Sequence, residues 1–115
     1  MRVIDLTAWL AGPFLSMQLA ALGAEVIKIE RPKIGEPVRS GVPFAGPGGV
    51  RSEGKTNEDI GLVYLKRNRG KKSITLNMKN KQGKEIFRKL VANGDVVMKI
   101  SPPVPWKVSV LIIRD

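Results

Sequence analysis

Two side chains are missing from this 115-residue sequence altogether. Without cysteine there is no disulfide framework and no thiolate to act as nucleophile or ligand. Without histidine the commonest general base and the commonest metal ligand are both gone, and no metal site is expected. Acids are scarce in one place. From Lys66 to Lys89 there are ten Lys/Arg and a single acid, Glu85, so this stretch carries nine of the ten net positive charges. Such a run attracts polyanions: nucleic acid, acidic lipid or a phosphorylated small molecule. Aromatics are scarce as well. Only Tyr64 adjoins the basic run, whereas single-strand binders interleave several stacking rings, and no helix-turn-helix, finger or RNP pattern is present. A long apolar run is lacking too. Trp9 to Leu22 is too short to cross a bilayer, and only Arg2 stands before it as the basic start of a signal peptide. The expectation is a cytoplasmic chain with no membrane partner.

What is present organises itself around Gly12–Pro32. Arg2 to Leu6 reads as a buried parallel strand. Gly12-Pro13 suits the first turn of a helix, where a missing N–H costs nothing. Phe14, Leu15, Met17, Leu19, Ala20 and Leu22 leave only Ser16 and Gln18 polar, which predicts a buried helix. Gly23 stands where a left-handed residue ends a helix. Glu25 to Glu30 is the next strand. From Pro32 to Gly61 four prolines and seven glycines without periodicity predict a long loop. Order resumes at Leu62–Leu65, followed by a turn over Lys66–Lys72. Ser73–Asn77 alternates as a strand, Asn80–Asn93 is an amphipathic helix with Ile86, Phe87, Leu90 and Val91 on one face, and Asp95–Met98 starts another strand. The order β-α-β, loop, β-α-β predicts an α/β, Rossmann-like parallel sheet with flanking helices, incomplete at this length.

Four blocks then carry a resemblance. They are Val3-Ile4-Asp5-Leu6-Thr7, Ala11-Gly12-Pro13-Phe14, Leu22 to Pro32 (LGAEVIKIERP), and Asn68 to Lys79 (NRGKKSITLNMK). In this order and spacing, over residues 2–98, the chain resembles the N-terminal part of the class III CoA-transferases (CaiB/BaiF-like). Formyl-CoA transferase and the α-methylacyl-CoA racemases are members. The resemblance implies a transferase that moves CoA between a thioester and a carboxylic acid, with acyl-CoA as partner and coenzyme A as its only cofactor. Full-length relatives are interlocked homodimers.

Carried over by position, Arg31 is the cation near the nucleotide. Leu76, Asn77, Met78 and Lys79 form a strand-end wall with Lys79 close to phosphate, and Leu10 and Ala11 face the thioester. Formyl-CoA transferase has glutamine in place of Leu10, so this chain lacks that polar contact and suits another acyl group. The residues alone leave other uses open. Arg31 could pair with Glu30 or Glu36, Lys79 could be a solvated lysine, and Leu76 reads as core. Arg39 could reach a phosphate across the loop.

The family's catalytic aspartate matches none of the ten acids, and Asp5 and Asp95 read as structural. No catalytic residue is therefore assigned, and the chain alone is expected to be inactive. The racemase branch and a basic nucleic-acid-binding module are the alternatives. The first domain is read as 1–98, with its long loop at 32–61, and 99–115 as a divergent tail. Family members continue after Asp95-Val96-Val97 with Glu-Asn-Phe. Encoded GAA-AAT-TTC, that tripeptide reads Lys-Ile-Ser after loss of its first base, which is the sequence of Lys99-Ile100-Ser101. Lys99–Asp115 is accordingly expected to be a frameshifted tail.

Overall fold

The computed structural model describes residues 1–100 and 108–113. Four parallel strands form its centre: β1 (Arg2–Leu6), β2 (Glu25–Glu30), β6 (Lys72–Thr75) and β7 (Val96–Ile100). Their order is β6-β2-β1-β7, with β8 (Val108–Ile112) antiparallel on the outer edge of β7. Helix α1 (Ala11–Ala21) connects β1 to β2, and α3 (Lys81–Ala92) connects β6 to β7. The expected Rossmann-like sheet with flanking helices is there. It is mixed rather than parallel throughout, because β8 runs against its neighbour.

Side chains alternate across the strands, and each face has its own core. Val3, Val26, Val96 and Met98 meet Leu19, Ala20 and Ala24 on the α1 side. Ile4, Ile29, Leu76 and Val97 meet Phe87, Leu90 and Val91 on the α3 side. Asn80 starts α3 by accepting a hydrogen bond from the Gly83 N–H at 2.6 Å. Gly23, at φ +94°, ends the α1 turn in the left-handed region, as its position in the sequence implies.

Four expectations are corrected. Helix α1 is not buried all round. Gly12, Pro13 and Ser16 are its buried residues, whereas Phe14, Leu15 and Leu22 are exposed, because only one side of the helix has a sheet to pack on. On α3, Ile86 is exposed and Phe87, Leu90 and Val91 alone pack inward. The Pro32–Gly61 stretch is not a structureless loop. It holds a 3₁₀ turn over Pro37–Ser40 and a small antiparallel sheet. That sheet has β3 (Phe44–Gly46) between β4 (Gly49–Arg51) and β5 (Ile60–Gly61). Strands of two or three residues are too short to show a period of two, and Pro47-Gly48 is the hairpin turn. Finally, the segment before β6 is helical: α2 (Leu62–Arg67) takes in Lys66 and Arg67, read from the sequence as turn.

Lys99 and Ile100 continue β7 past Met98. Residues 101–107 and 114–115, most of the tail read as frameshifted, lie outside the described residues. Among the described residues no helix is long and apolar enough to cross a membrane.

Candidate functional site

The α1 side of the sheet changes character along its strands. Its amino-terminal half is apolar, and its carboxyl-terminal half is charged. Asp5, Lys28 and Ser73 stand level with one another across β1, β2 and β6, and Glu30 follows Lys28 by two residues on the same side. Asp5, Lys28, Glu30 and Glu36 are all buried. Buried charge persists only when it is paired, and here the pairing is dense. Asp5 Oδ1 accepts from the Thr7 N–H at 2.8 Å and the Thr7 hydroxyl. Asp5 Oδ2 accepts from the Ser16 hydroxyl on α1 and from Lys71 Nζ at 3.2 Å. Lys28 Nζ donates to the Thr7 carbonyl at 2.9 Å and lies 2.6 Å from Glu36 Oε2. That second contact is an ion pair in distance, although its angles fall outside hydrogen-bond geometry.

Glu30 is the hub of the other half. Arg39 grips it with a two-pronged fork at 2.6 and 2.8 Å, Tyr64 and Ser73 donate their hydroxyls, and the Glu36 N–H donates at 2.8 Å. Burial pushes the Glu30 carboxyl up, but the hydrogen bonds from Arg39, Ser73, Tyr64 and the Glu36 backbone outweigh it and hold the group down at about 2. The Arg39 guanidinium also lies 4.0 Å from the centre of the Tyr64 ring. Burial, with the Glu30 charge beside it, drives the Tyr64 hydroxyl upward. Burial lowers Lys71 to about 8 although Asp5 pulls the other way.

This network is the floor under a cleft of about 430 Å³ at the carboxyl ends of β1, β2 and β6. Its walls are Thr7, Ala8 and Trp9 after β1, Arg31 after β2, Gly35–Pro37 in the following loop, and Leu76 and Met78 after β6. Ligands of open α/β sheets bind beyond these strand ends. The volume falls in the range of small-molecule sites. The cleft sits over β6-β2-β1, to one side of the point between β1 and β7 where the strand order turns back.

Of the seven residues expected at a CoA site, the cleft brings together Arg31, Leu76 and Met78. Leu76 is both core and wall, buried in the α3-side cluster while lining the cleft. Asn77 and Lys79 follow on the same segment but do not line the cleft. The Asn77 carboxamide instead accepts from the Lys79 N–H at 3.0 Å. Leu10 and Ala11 are exposed and do not line the cleft. Leu10 lines a second hollow with Phe14, Met17, Val63 and Arg67.

The alternative pairing for Arg31 does not form, since Glu30 is taken by Arg39 and Glu36 by Lys28. Among the described residues the Arg31 side chain has no hydrogen-bond or ion-pair partner and is exposed. Arg39, by contrast, is not a free phosphate ligand, because Glu30 occupies its fork. The basic run does not form one patch. Lys71 is buried against Asp5, Lys72 pairs with Glu25 at 2.7 Å, and Lys84, Arg88 and Lys89 stand on the outer side of α3. Sequence reasoning missed Trp9, Lys28, Glu30 and Glu36. Lys28 and Glu30 carried a signal: charges inside a strand that a parallel sheet buries on both faces must have partners.

Comparison with known proteins bears on the same residues. The model of CoA-transferase family III matches residues 1–107. A succinyl-CoA:mesaconate CoA-transferase from Haloarcula marismortui is 41% identical over 99 residues, 86% of this chain and 23% of that protein. A human succinyl-CoA:glutarate CoA-transferase is 41% identical over 111 residues, 96% of this chain and 22% of that protein. A CaiB/BaiF family protein from Brucella suis superposes with a TM-score of 0.74 at 37% identity, covering 86% of this chain and 24% of that one. The chain thus spans less than a quarter of the length of these relatives. A family match along nearly the whole sequence, identities near 40% and a shared fold agree, and the chain belongs to CoA-transferase family III.

Proposed function

We propose that this chain forms the nucleotide-holding part of a CoA-transferase that moves CoA between a thioester and a carboxylic acid. The observation that carries the reading is the cleft at the strand ends, where an exposed, unpaired Arg31 faces an apolar wall of Leu76 and Met78. An arginine without a carboxylate partner suits a phosphate by a two-pronged contact, and Lys79, exposed just beyond the wall, suits a second phosphate as a point charge. Coenzyme A supplies both phosphates and an adenine for the apolar side. Relatives named for their substrates use succinyl-CoA with mesaconate or glutarate, so succinyl-CoA is the donor we favour and a dicarboxylate the acceptor. These names also favour transfer over racemisation.

The chain's part is to bind and orient. Asp5, Glu30 and Glu36 are each matched to a buried or half-buried cation, which leaves them no freedom to act as the nucleophilic carboxylate of acyl transfer. The complete enzyme of this reading is a cytoplasmic homodimer. Phe14 and Leu15 on α1, with Leu22 just after it, are the apolar surface that a partner subunit or further chain would cover.

Calorimetric titration of the folded chain with CoA at two salt concentrations tests the proposal. The expected result is binding between micromolar and millimolar Kd, weakened about tenfold by Arg31→Ala and less by Lys79→Ala, with a shallow salt dependence. A well-folded chain that takes up no CoA would sink the reading. A steep salt slope with DNA or RNA would favour a nucleic-acid module instead.

A further inference from the structure

Trp9 combines three features that none of its neighbours in sequence brings together. It lines the cleft, its side chain is largely exposed, and its backbone is left-handed at φ +71°. A bulky residue in that region is strained, and such strain persists only where the surroundings impose it. Here both sides of the residue are held. The Trp9 N–H donates to Glu36 Oε1 at 3.0 Å, and the Trp9 carbonyl accepts from Arg67 at 3.1 Å. Glu36 is in turn fixed by the buried Lys28, 2.6 Å from its other oxygen. A buried ion pair thus holds one exposed indole at the cleft that Arg31, Leu76 and Met78 also line.

The geometry points to Trp9 as the stacking platform for the purine ring of the bound nucleotide, with Lys28–Glu36 as the pair that positions it. This rests on the CoA-binding reading above. An indole stacks on any purine through its π-face and gives affinity without reading the base's edge, so the platform is selective for a base-bearing ligand and not for a bare phosphate.

The test uses the 115-residue chain carrying Trp106→Phe, which leaves Trp9 as its only tryptophan. CoA and adenosine 3′,5′-bisphosphate should quench Trp9 fluorescence, and 4′-phosphopantetheine, which has no base, should not. Trp9→Gly is the decisive variant. Glycine accepts positive φ freely, so melting temperature should hold or rise while CoA affinity falls about tenfold. Trp9→Phe should fall less. Glu36→Gln should weaken CoA in the Trp9 protein but add little to the loss in Trp9→Gly, which separates positioning of the ring from general support of the fold. CoA binding that is undiminished in Trp9→Gly and unaccompanied by quenching would overturn the platform and leave the CoA reading standing. Failure of the parent chain to bind CoA would overturn both.

Discussion

Glu30 accepts five hydrogen bonds while nearly all of its surface is out of water. The carboxylate carries the negative charge that the Arg39 fork pairs with, so its identity matters more than its shape. Glu30→Gln keeps the shape, removes the charge and replaces one acceptor oxygen with a donor that faces other donors. Breaking a buried pair costs about 3–5 kcal/mol, and the partial exposure of Arg39 places this variant at the lower end, about 3 kcal/mol. Urea unfolding should show that loss. A midpoint within error of the parent would mean that Glu30 is not the hub described. The residue scale was partly legible in the sequence. Charges alternating within Glu25–Glu30 marked a strand, but which cation met which acid depended on Arg39, Tyr64 and Ser73, all more than eight residues away.

Helix α3 was legible almost to the residue. Asn80 at its start, the apolar positions at Phe87, Leu90 and Val91, and Gly94 after its end are local signals read in sequence order. Its first turn also carries a constraint that no local pattern shows. A β-carbon on Gly83 would lie 1.8 Å from the Asn77 carbonyl oxygen, in the segment bearing the cleft wall. Two substitutions separate these effects. Asn80→Ala removes only the cap and should cost about 1 kcal/mol, or about 4–8 °C in Tm. Gly83→Ala improves intrinsic helix propensity yet should cost more, about 1–3 kcal/mol of overpacking, and shift Asn77 and Met78. Thermal melts rank the two, and a Gly83→Ala protein as stable as its parent would contradict the close approach. Elements shaped by contact were less legible. Helix α1 looked buried because its composition is apolar, but composition does not say how many of a helix's sides find a partner. The β3–β5 sheet escaped notice because its strands are too short to show periodicity.

Taken whole, the molecule carries a pH signature of its buried network. Glu30 and, at the surface, Glu25 are held down at about 2 from an ordinary value of 4.5. The folded state therefore holds fewer protons than the unfolded one between those values. Their contribution is present above pH 4.5 and is lost as the pH falls toward 2. Lys71 is lowered to about 8 from an ordinary 10.5. Between those values the unfolded chain again holds the extra proton, so stability should rise with pH from about 8 to about 10, above which the raised Tyr64 hydroxyl acts in the opposite sense. Urea midpoints measured from pH 2 to 10 should fall on the acid side and climb gently on the alkaline side. Lys71→Met should remove the climb, and a profile flat above pH 8 would contradict the burial of Lys71.

By itself the sequence determined the strand-helix-strand order, the turns at Gly23 and Gly94, the first turns of α1 and α3 and the family blocks. Apart from the order of those blocks, all of these are written in spacings of one to four residues. Only the tertiary structure decided what those pieces enclose. Asp5, Lys28, Glu36 and Lys71 become one network because parallel strands set Asp5 level with Lys28 and the chain returns twice to cover them. Arg31 is left free because Arg39 and Lys28 take the acids beside it. Trp9 is turned toward the cleft by a glutamate twenty-seven residues away. Pairing of charge depends on distance in space, which sequence spacing does not encode.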